Sequence, residues 1–156
     1  MRETVEYSHE DAELVKQPIG YWTWAANKTL MAHVRGRLAA VGVTQPQWWV
    51  LHQALHSEDG VTREEAVRAH EAKMDVGAGM ALDIDLLVER KMLVEGGDGR
   101  LRITDEGRDL HRRAAGTQRA NRVRVHEGVS DEEYLTTLKV LQRMMRNAGG
   151  DLRQGA

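Results

Sequence analysis

The chain has 156 residues, a formal net charge of −2 and no cysteine. This length allows one domain, or one small domain with helical extensions that need a partner to cover them. The absence of cysteine excludes a disulfide framework, a cysteine nucleophile and thiolate-rich metal sites. No apolar run approaches the roughly 20 residues that a membrane span requires, and the first residues lack the pattern of a signal peptide, so we expect a cytoplasmic protein.

The first part of the chain carries helix signals. The segment Ser8 to Asp11 predicts the start of a first helix, and apolar residues recur from Ile19 at spacings of three and four. Gly42 is predicted to end this long helix, Thr44 to cap the next one and Pro46 to lie in its first turn. The recurring residues predict one buried stripe, and they are Ile19, Trp22, Ala26, Leu30, Val34 and Leu38.

Two further helices are predicted in the middle of the chain. The helix that Thr44 caps is expected to end near Ser57, and a capping box formed by Thr62 and Glu65 predicts a short helix that ends near His70. The next helix is expected to begin between residues 74 and 76. Its predicted inward face consists of Met80, Ile84, Leu87 and Val88.

A small hairpin follows these helices. Leu93–Val94 and Leu101–Ile103 are predicted strands, and Gly96–Gly99 joins them with residues that tolerate positive φ. A short helix, a turn, a second helix and a hairpin form a winged helix-turn-helix. This arrangement typically presents one helix to a DNA major groove and its hairpin, the wing, to the backbone or minor groove.

Two more helices are predicted at the end of the chain. One runs from about Thr104 to Val125, and a capping box of Ser130 and Glu133 begins the other. The last helix places Tyr134, Leu138, Leu141 and Met145 on one side. The terminal helices carry apolar stripes with no evident partner in the central module, so we predict a two-fold homodimer. Residues 1–45 and 108–156 are then the helical dimerisation region, and residues 46–107 are the winged helix-turn-helix module of a mostly α protein with a small β-hairpin.

Four segments together resemble the MarR family of bacterial transcription regulators. They are Val50-Leu51, the segment from Leu86 to Val94, the Asp98-Gly99-Arg100 wing, and Ile103 to Arg108. The resemblance covers nearly the whole chain. It implies an obligate homodimer that binds double-stranded DNA at a palindromic operator, most often as a repressor. It also implies release by a small aromatic or phenolic effector held between the dimer domain and the DNA module.

The resemblance implies that Arg100 enters the DNA minor groove and that Asp98 orients it by an ion pair. A narrow minor groove concentrates negative potential, which favours an arginine on a thin hairpin. The alternative is that Arg100 is simply a soluble residue at the hairpin tip. Arg102 alternates with it along the strand and is expected to reach a phosphate.

The expected recognition helix departs from the usual pattern. Its segment Asp75 to Asp85 offers acidic and apolar side chains rather than the donors that usually read bases. We therefore expect weak or narrow sequence reading, with Lys73 and Arg68 supplying backbone contacts and Thr62 lying in the same DNA-facing set. Arginines gather on the helix after the wing, where they either pair with acids of the partner subunit or face phosphates with the first turn. They are Arg108, Arg112, Arg113, Arg119, Arg122 and Arg124.

Aromatic residues concentrate on the first two long helices, where the family's effector pocket would form. Trp48 continues an apolar stripe and is expected in the core. A planar ligand is expected to stack on Trp22 or Trp49, with His33 or His52 as its polar anchor.

Seven histidines raise the question of a metal site. His52 and His56 stand four residues apart on a helix, a spacing that allows two imidazoles to share one ion, and His111 and His126 lie on a later helix. Zinc sensors are known in the family. No acidic third ligand has matching spacing, so we favour surface or interface histidines and expect no metal and no cofactor.

No catalytic constellation is recognisable, so enzyme activity is not expected. The alternative to a DNA-binding regulator is a winged-helix protein with degenerate DNA recognition that serves as a small-molecule-binding or protein-interaction module. The acidic segment from Asp75 to Asp85 is the feature that favours this alternative.

Overall fold

A computed structural model describes residues 6–71 and 79–152. Within those ranges it contains seven helices and three short strands, as predicted for a mostly α protein with a small wing. The chain divides into two compact units, residues 1–33 and 34–156. No described helix combines the length and the apolar character that crossing a bilayer requires.

The first unit holds α1 (Asp11–Leu14) and the beginning of α2 (Ile19–Ala40). Both helices begin where the sequence predicted. The stripe along α2 is only partly buried: Ile19 and Leu30 are exposed, whereas Leu38 at the end of the helix is fully buried. The expectation of one continuous buried stripe is therefore wrong for the single chain, since burial along α2 is confined to its C-terminal end.

The end of α2 and the start of α3 (Gln45–Leu55) follow local sequence signals. Gly42 adopts a φ of +82°, which glycine tolerates best. The Thr44 hydroxyl accepts a hydrogen bond from the backbone N–H of Gln47 at 3.2 Å, and the Gln47 side chain accepts one from the backbone N–H of Thr44 at 3.1 Å. Thr44 and Pro46 thus have the predicted roles, and α3 ends two residues before the predicted position.

The helix-turn-helix comprises α4 (Arg63–Glu71) and α5 (Met80–Glu89). The predicted capping box is present, because the backbone N–H of Thr62 donates to Glu65 at 2.8 Å and that of Glu65 donates to the Thr62 hydroxyl at 3.1 Å. The predicted inward residues of α5 are buried or half-buried. Its predicted start between residues 74 and 76 lies outside the described residues.

The wing is a three-stranded antiparallel sheet in the order β1 (Val61–Thr62), β3 (Arg100–Ile103) and β2 (Leu93–Glu95). The two predicted strands are confirmed, with Leu93 opposite Ile103. The sequence did not reveal β1, whose Val61 pairs with Leu101. Leu101 and Ile103 are buried whereas Arg100 and Arg102 are half-buried, because successive side chains of a strand point to opposite faces.

The last two helices are α6 (Asp105–Val125) and α7 (Asp131–Asn147). Thr104 caps α6 by accepting the N–H of Gly107 at 3.0 Å. Gly107 also packs so closely that an added Cβ would lie 2.1 Å from the Met92 carbonyl oxygen, which explains why glycine follows Thr-Asp-Glu here. Helix α7 has the predicted Ser130–Glu133 capping box and contains no buried residue.

One hydrophobic core joins α3, α5, α6 and the sheet within the second unit. Its largest fully buried side chains are Leu38, Leu51, Met80, Ile84, Leu87, Leu93, Leu101 and Leu110. This core holds the wing and α5 in place, and it therefore positions the side chains that these elements carry.

Candidate nucleic-acid interface and neighbouring sites

Contacts of Arg63 join α4, α5 and β2 into one surface. Its Nη1 atom lies 2.6 Å from Asp85 Oδ1, and its Nη2 atom lies 3.1 Å from Glu95 Oε2. Hydrogen bonds to Glu95 and then Asp85 raise the pKa of Arg63. Sequence patterns did not indicate this bridge, because the partners of Arg63 are 22 and 32 residues away along the chain. One acid of α5 is therefore neutralised within the chain.

Arg100, the expected minor-groove residue, rests against its own module. Its Nη1 atom donates to the Gly60 carbonyl oxygen at 3.0 Å and lies 3.6 Å from Glu65 Oε2. The Arg100 side chain is 36% exposed. A hydrogen bond from the Thr62 backbone N–H and, less strongly, the charge of Arg100 lower the pKa of Glu65. In the free protein the guanidinium is thus held against Gly60 and Glu65.

Asp98 pairs with a different arginine from the one we expected. Its carboxylate accepts two hydrogen bonds from Arg102, at 2.7 and 3.1 Å, and one from the backbone N–H of Arg100 at 3.1 Å. The expected ion pair between Asp98 and the Arg100 side chain is therefore wrong. The N–H bond fixes the turn, and the two bonds from the Arg102 guanidinium, with that N–H bond, hold the pKa of Asp98 far below its usual range.

The remaining DNA-facing candidates differ in their contacts. Arg68 is exposed and forms an ion pair with Glu64 one helical turn earlier. The Thr62 hydroxyl is used in the cap of α4, and Lys73 lies outside the described residues. Four arginines of this surface are thus paired with carboxylates, and they are Arg63, Arg68, Arg100 and Arg102. Their partners are the carboxylates of Glu64, Glu65, Asp85, Glu95 and Asp98, so these pairs leave no excess of positive charge.

The described part of α5 keeps the acidic and apolar character that its sequence predicted. Leu82 is 63% exposed and Leu86 is 37% exposed. Asp83 is half-buried and accepts a hydrogen bond from the Thr44 hydroxyl at 3.2 Å. This part of the helix therefore offers no cationic side chain before Arg90.

The residues expected to hold a ligand lie in both units. In the first unit, Trp22 packs edge-on against Tyr21 with ring centroids 5.3 Å apart, and His33 is exposed. In the second unit, Trp49 packs on the core and stacks on His70 at 5.2 Å. Trp48 also packs on the core, as predicted.

Three histidines of α3 and α6 form a cluster. His52 Nδ1 lies 3.0 Å from His111 Nε2, so one ring donates to the other, and the His56 ring lies 4.3 Å from that of His52. Burial lowers the pKa of both His52 and His111; the charge of His56 lowers that of His52, and the charges of His52 and His56 lower that of His111. His126 instead contacts Tyr134. Among the described residues no group of three His, Cys, Asp or Glu side chains has a geometry suited to a metal ion.

The arginines of α6 contact groups of their own chain. Arg112 pairs with Asp109 at 2.8 Å, Arg124 pairs with Glu127 at 2.5 Å, and Arg122 lies over the Tyr134 ring at 5.6 Å. The two ion pairs are local along the sequence, whereas Arg122 and Tyr134 lie on successive helices, α6 and α7.

A cleft that the sequence did not reveal lies at the junction of α2 and α3. Its volume is about 620 Å³. The residues that line it are Arg35, Ala39, Gly42, Val43, Thr44, Gln45, Pro46, Gln47 and Arg90. All of them belong to the second unit.

No protein-family model matches the sequence, and neither does any curated protein sequence. Solved structures do match. A MarR family transcriptional regulator from Silicibacter pomeroyi has a TM-score of 0.68 at 14% identity, over 90% of this chain and 99% of that one. The Mycobacterium tuberculosis MarR family protein Rv2887, in complex with DNA, has a TM-score of 0.64 at 22% identity, over 82% and 98%. CouR from Rhodococcus jostii RHA1, bound to p-coumaroyl-CoA, has a TM-score of 0.64 at 23% identity, over 83% and 92%.

These similarities extend over nearly the full length of each solved chain. The chain therefore has the winged-helix fold of MarR-family transcription regulators, as its sequence resemblance implied.

Proposed function

We propose that the chain is a DNA-binding transcription regulator that acts as a homodimer, represses from a palindromic operator and responds to a small aromatic effector. The observation that carries the proposal is the wing itself. Leu101 and Ile103 anchor β3 in the core, and this leaves Arg100 and Arg102 on the opposite face of the same strand. A DNA complex of a protein with this fold supports the assignment.

Binding to DNA proceeds by exchange of ion-pair partners. In the free protein Arg63, Arg68, Arg100 and Arg102 are paired with carboxylates. Exposed ion pairs of this kind contribute only about 0–1 kcal/mol each, so phosphates can replace the carboxylates at low energetic cost. Arg100 must leave the Gly60 carbonyl and Glu65 to enter a minor groove. Binding is consequently weaker than for a surface whose arginines are unpaired, and it depends steeply on salt.

The terminal helices support the homodimer. Helix α7 exposes large apolar side chains on the side that carries Tyr134 and Leu141, among them Leu138 at 38% and Met145 at 51%. An exposed apolar patch of this kind marks an interaction surface, and a second copy of the chain provides a matching one. The dimer gives two wings, which suits a palindromic operator.

The proposal of an aromatic effector is based on the tryptophans and histidines of α2 and α3. CouR, which has this fold, is bound to p-coumaroyl-CoA. Trp22 or Trp49 would stack on the planar part of such a ligand, and His33 or His52 would bind its polar group. Titration with phenolic acids should change tryptophan fluorescence if this holds, and an unchanged spectrum would contradict it.

A mobility-shift experiment on the chain's own upstream DNA at low salt tests DNA binding. We expect the Arg100→Ala variant to bind at least tenfold more weakly than wild type. Arg37→Ala is the matched control, because Arg37 is an exposed arginine of α2 outside the proposed interface. Equal shifts for wild type and Arg100→Ala would remove the proposed role of the wing.

A protein-interaction module is the second candidate function. It is favoured by Leu82 and Leu86, which are exposed on α5 beside Asp85. A helix that reads bases would present donors there instead. DNA affinity that does not change between 50 and 200 mM salt would favour this candidate, since neutralised phosphates release counterions.

A further inference from the structure

The cleft between the end of α2 and the start of α3 has the dimensions of a ligand site. Its volume of about 620 Å³ falls within the range of roughly 300–1,000 Å³ found for small-molecule sites. Ala39, Val43 and Pro46 supply an apolar lining. No aromatic side chain lines it, so it suits an aliphatic ligand better than a stacked ring.

The charge of the lining has one sign. Arg35 and Arg90 both line the cleft, and no carboxylate does. Within the described ranges neither arginine forms an ion pair, which distinguishes them from the four paired arginines near the wing. Asp83 does not line the cleft, but it accepts a hydrogen bond from the hydroxyl of Thr44, which does.

Two further polar features belong to the lining. Arg90 Nη1 donates to the Gly42 carbonyl oxygen at 2.9 Å, which fixes the guanidinium while leaving its other N–H groups available. Gln45 has a buried side-chain oxygen with no hydrogen-bond partner among the described groups. Buried polar atoms are normally satisfied, so this unsatisfied acceptor indicates room in the cleft for a hydrogen-bond donor, such as a water molecule that accompanies a ligand.

We infer that this cleft binds a small organic anion, a carboxylate with an aliphatic body. Arg35 and Arg90 bind the carboxylate, because guanidinium groups match its geometry and stay charged. Ala39, Val43 and Pro46 contact the aliphatic part. This site is distinct from the one proposed for the aromatic effector, since none of the four effector residues lines the cleft.

The cleft is linked to α5 at two points. Arg90 follows directly after α5 and is bonded to Gly42, and Asp83 within α5 is bonded to Thr44. A carboxylate that binds Arg90 therefore acts on the end of the helix that leads into the wing. An effect of the anion on DNA binding would rest on the proposed function, whereas binding of the anion itself does not.

Calorimetric titration of the full chain with octanoate, at low salt and without DNA, tests the inference. We expect saturable binding that weakens at least tenfold in Arg35→Gln and in Arg90→Gln. Arg37→Gln removes an exposed charge on the same helix, outside the cleft, and should leave affinity unchanged. Octanamide and inorganic phosphate should each bind at least tenfold more weakly than octanoate, because each lacks one half of the recognised chemistry.

Absence of saturable octanoate binding would overturn the inference, and so would equal affinity in wild type and Arg35→Gln. Phosphate that binds as tightly as octanoate would also overturn it, since the apolar lining would then contribute nothing. Thermal unfolding confirms that each variant is folded, and Arg35→Lys, which keeps the charge but loses the planar guanidinium, should lose less affinity than Arg35→Gln. Because DNA is absent, a negative result here leaves the mobility-shift test of the wing standing.

Discussion

The central module and the terminal helices bury their apolar residues in different ways. Leu51, Ile84 and Leu101 of the module are fully buried within one chain. Helix α7 contains no buried residue, although it is more strongly amphipathic than the helices of the module. The module is therefore stabilised by its own core, whereas α7 has an apolar face that the described residues of the chain leave exposed.

The greatest loss of stability is expected when a side chain of the module's core is truncated. Leu51→Ala should lower the free energy of unfolding by about 2–5 kcal/mol, because the deleted methyl groups leave a cavity in close-packed surroundings. Leu82→Ala, at an exposed leucine of the same module, should change it by less than about 0.5 kcal/mol. Denaturant unfolding at one fixed protein concentration measures both, and similar losses would contradict the assignment of the core.

The next largest effect is expected on dimer association through the terminal helices. Leu138→Asp places a charge on the apolar side of α7 and should raise the dimer dissociation constant at least tenfold. Thr136→Asp, on the opposite side of the helix, is the matched control and should leave it unchanged. Sedimentation equilibrium measures the association. A wild-type chain that stays monomeric at all concentrations would contradict the proposed dimer.

The histidine cluster makes the module sensitive to acid. His52 and His111 have lowered pKa values, so the folded protein binds protons less readily than the unfolded chain. The free energy of unfolding should therefore fall as the pH drops below about 6.5, the ordinary pKa of histidine, and level off below the lowered values. His111→Gln should show a smaller fall between pH 7.5 and 5. An equal fall in the variant would exclude His111 as the cause.

A smaller effect concerns the residue that joins α5 to the wing. Lys91 adopts a φ of +60°, and its backbone N–H and that of Met92 bond to carbonyls of the last turn of α5. A left-handed conformation costs a residue with a side chain about 1–2 kcal/mol, so Lys91→Gly should stabilise the protein by about 1 kcal/mol. The same change inside α7, Lys139→Gly, should destabilise it by about 1 kcal/mol. This account would be contradicted if both variants were more stable than wild type or if both were less stable.

Local signals in the sequence predicted most of the fold. The two predicted capping boxes, the Thr44 cap, Gly42 and the glycine-rich turn of the wing each depend on residues that are close along the chain, so their patterns can be read directly. Strand β1 was missed because it has two residues and exists only through pairing with β3. Patterns of hydrophobicity cannot show so short a strand.

The site was less predictable because its contacts join distant residues. The bridge from Arg63 to Asp85 and Glu95, and the bond from Arg90 to Gly42, connect positions that are 22 to 48 residues apart. Asp98 had two arginines within reach, and the turn geometry rather than the motif decided which one it binds. The cleft beside Arg35 likewise exists only once three segments have packed together.

The salt dependence of DNA affinity is the sharpest test of whether Arg100 contacts DNA. We expect the logarithm of the binding constant to fall linearly with the logarithm of salt concentration, and the slope to decrease in magnitude by about 1 per subunit in Arg100→Ala. This result would show that Arg100 exchanges Glu65 for the DNA. An identical slope and affinity in wild type and Arg100→Ala would contradict the account, because the guanidinium would then remain against Gly60 and Glu65.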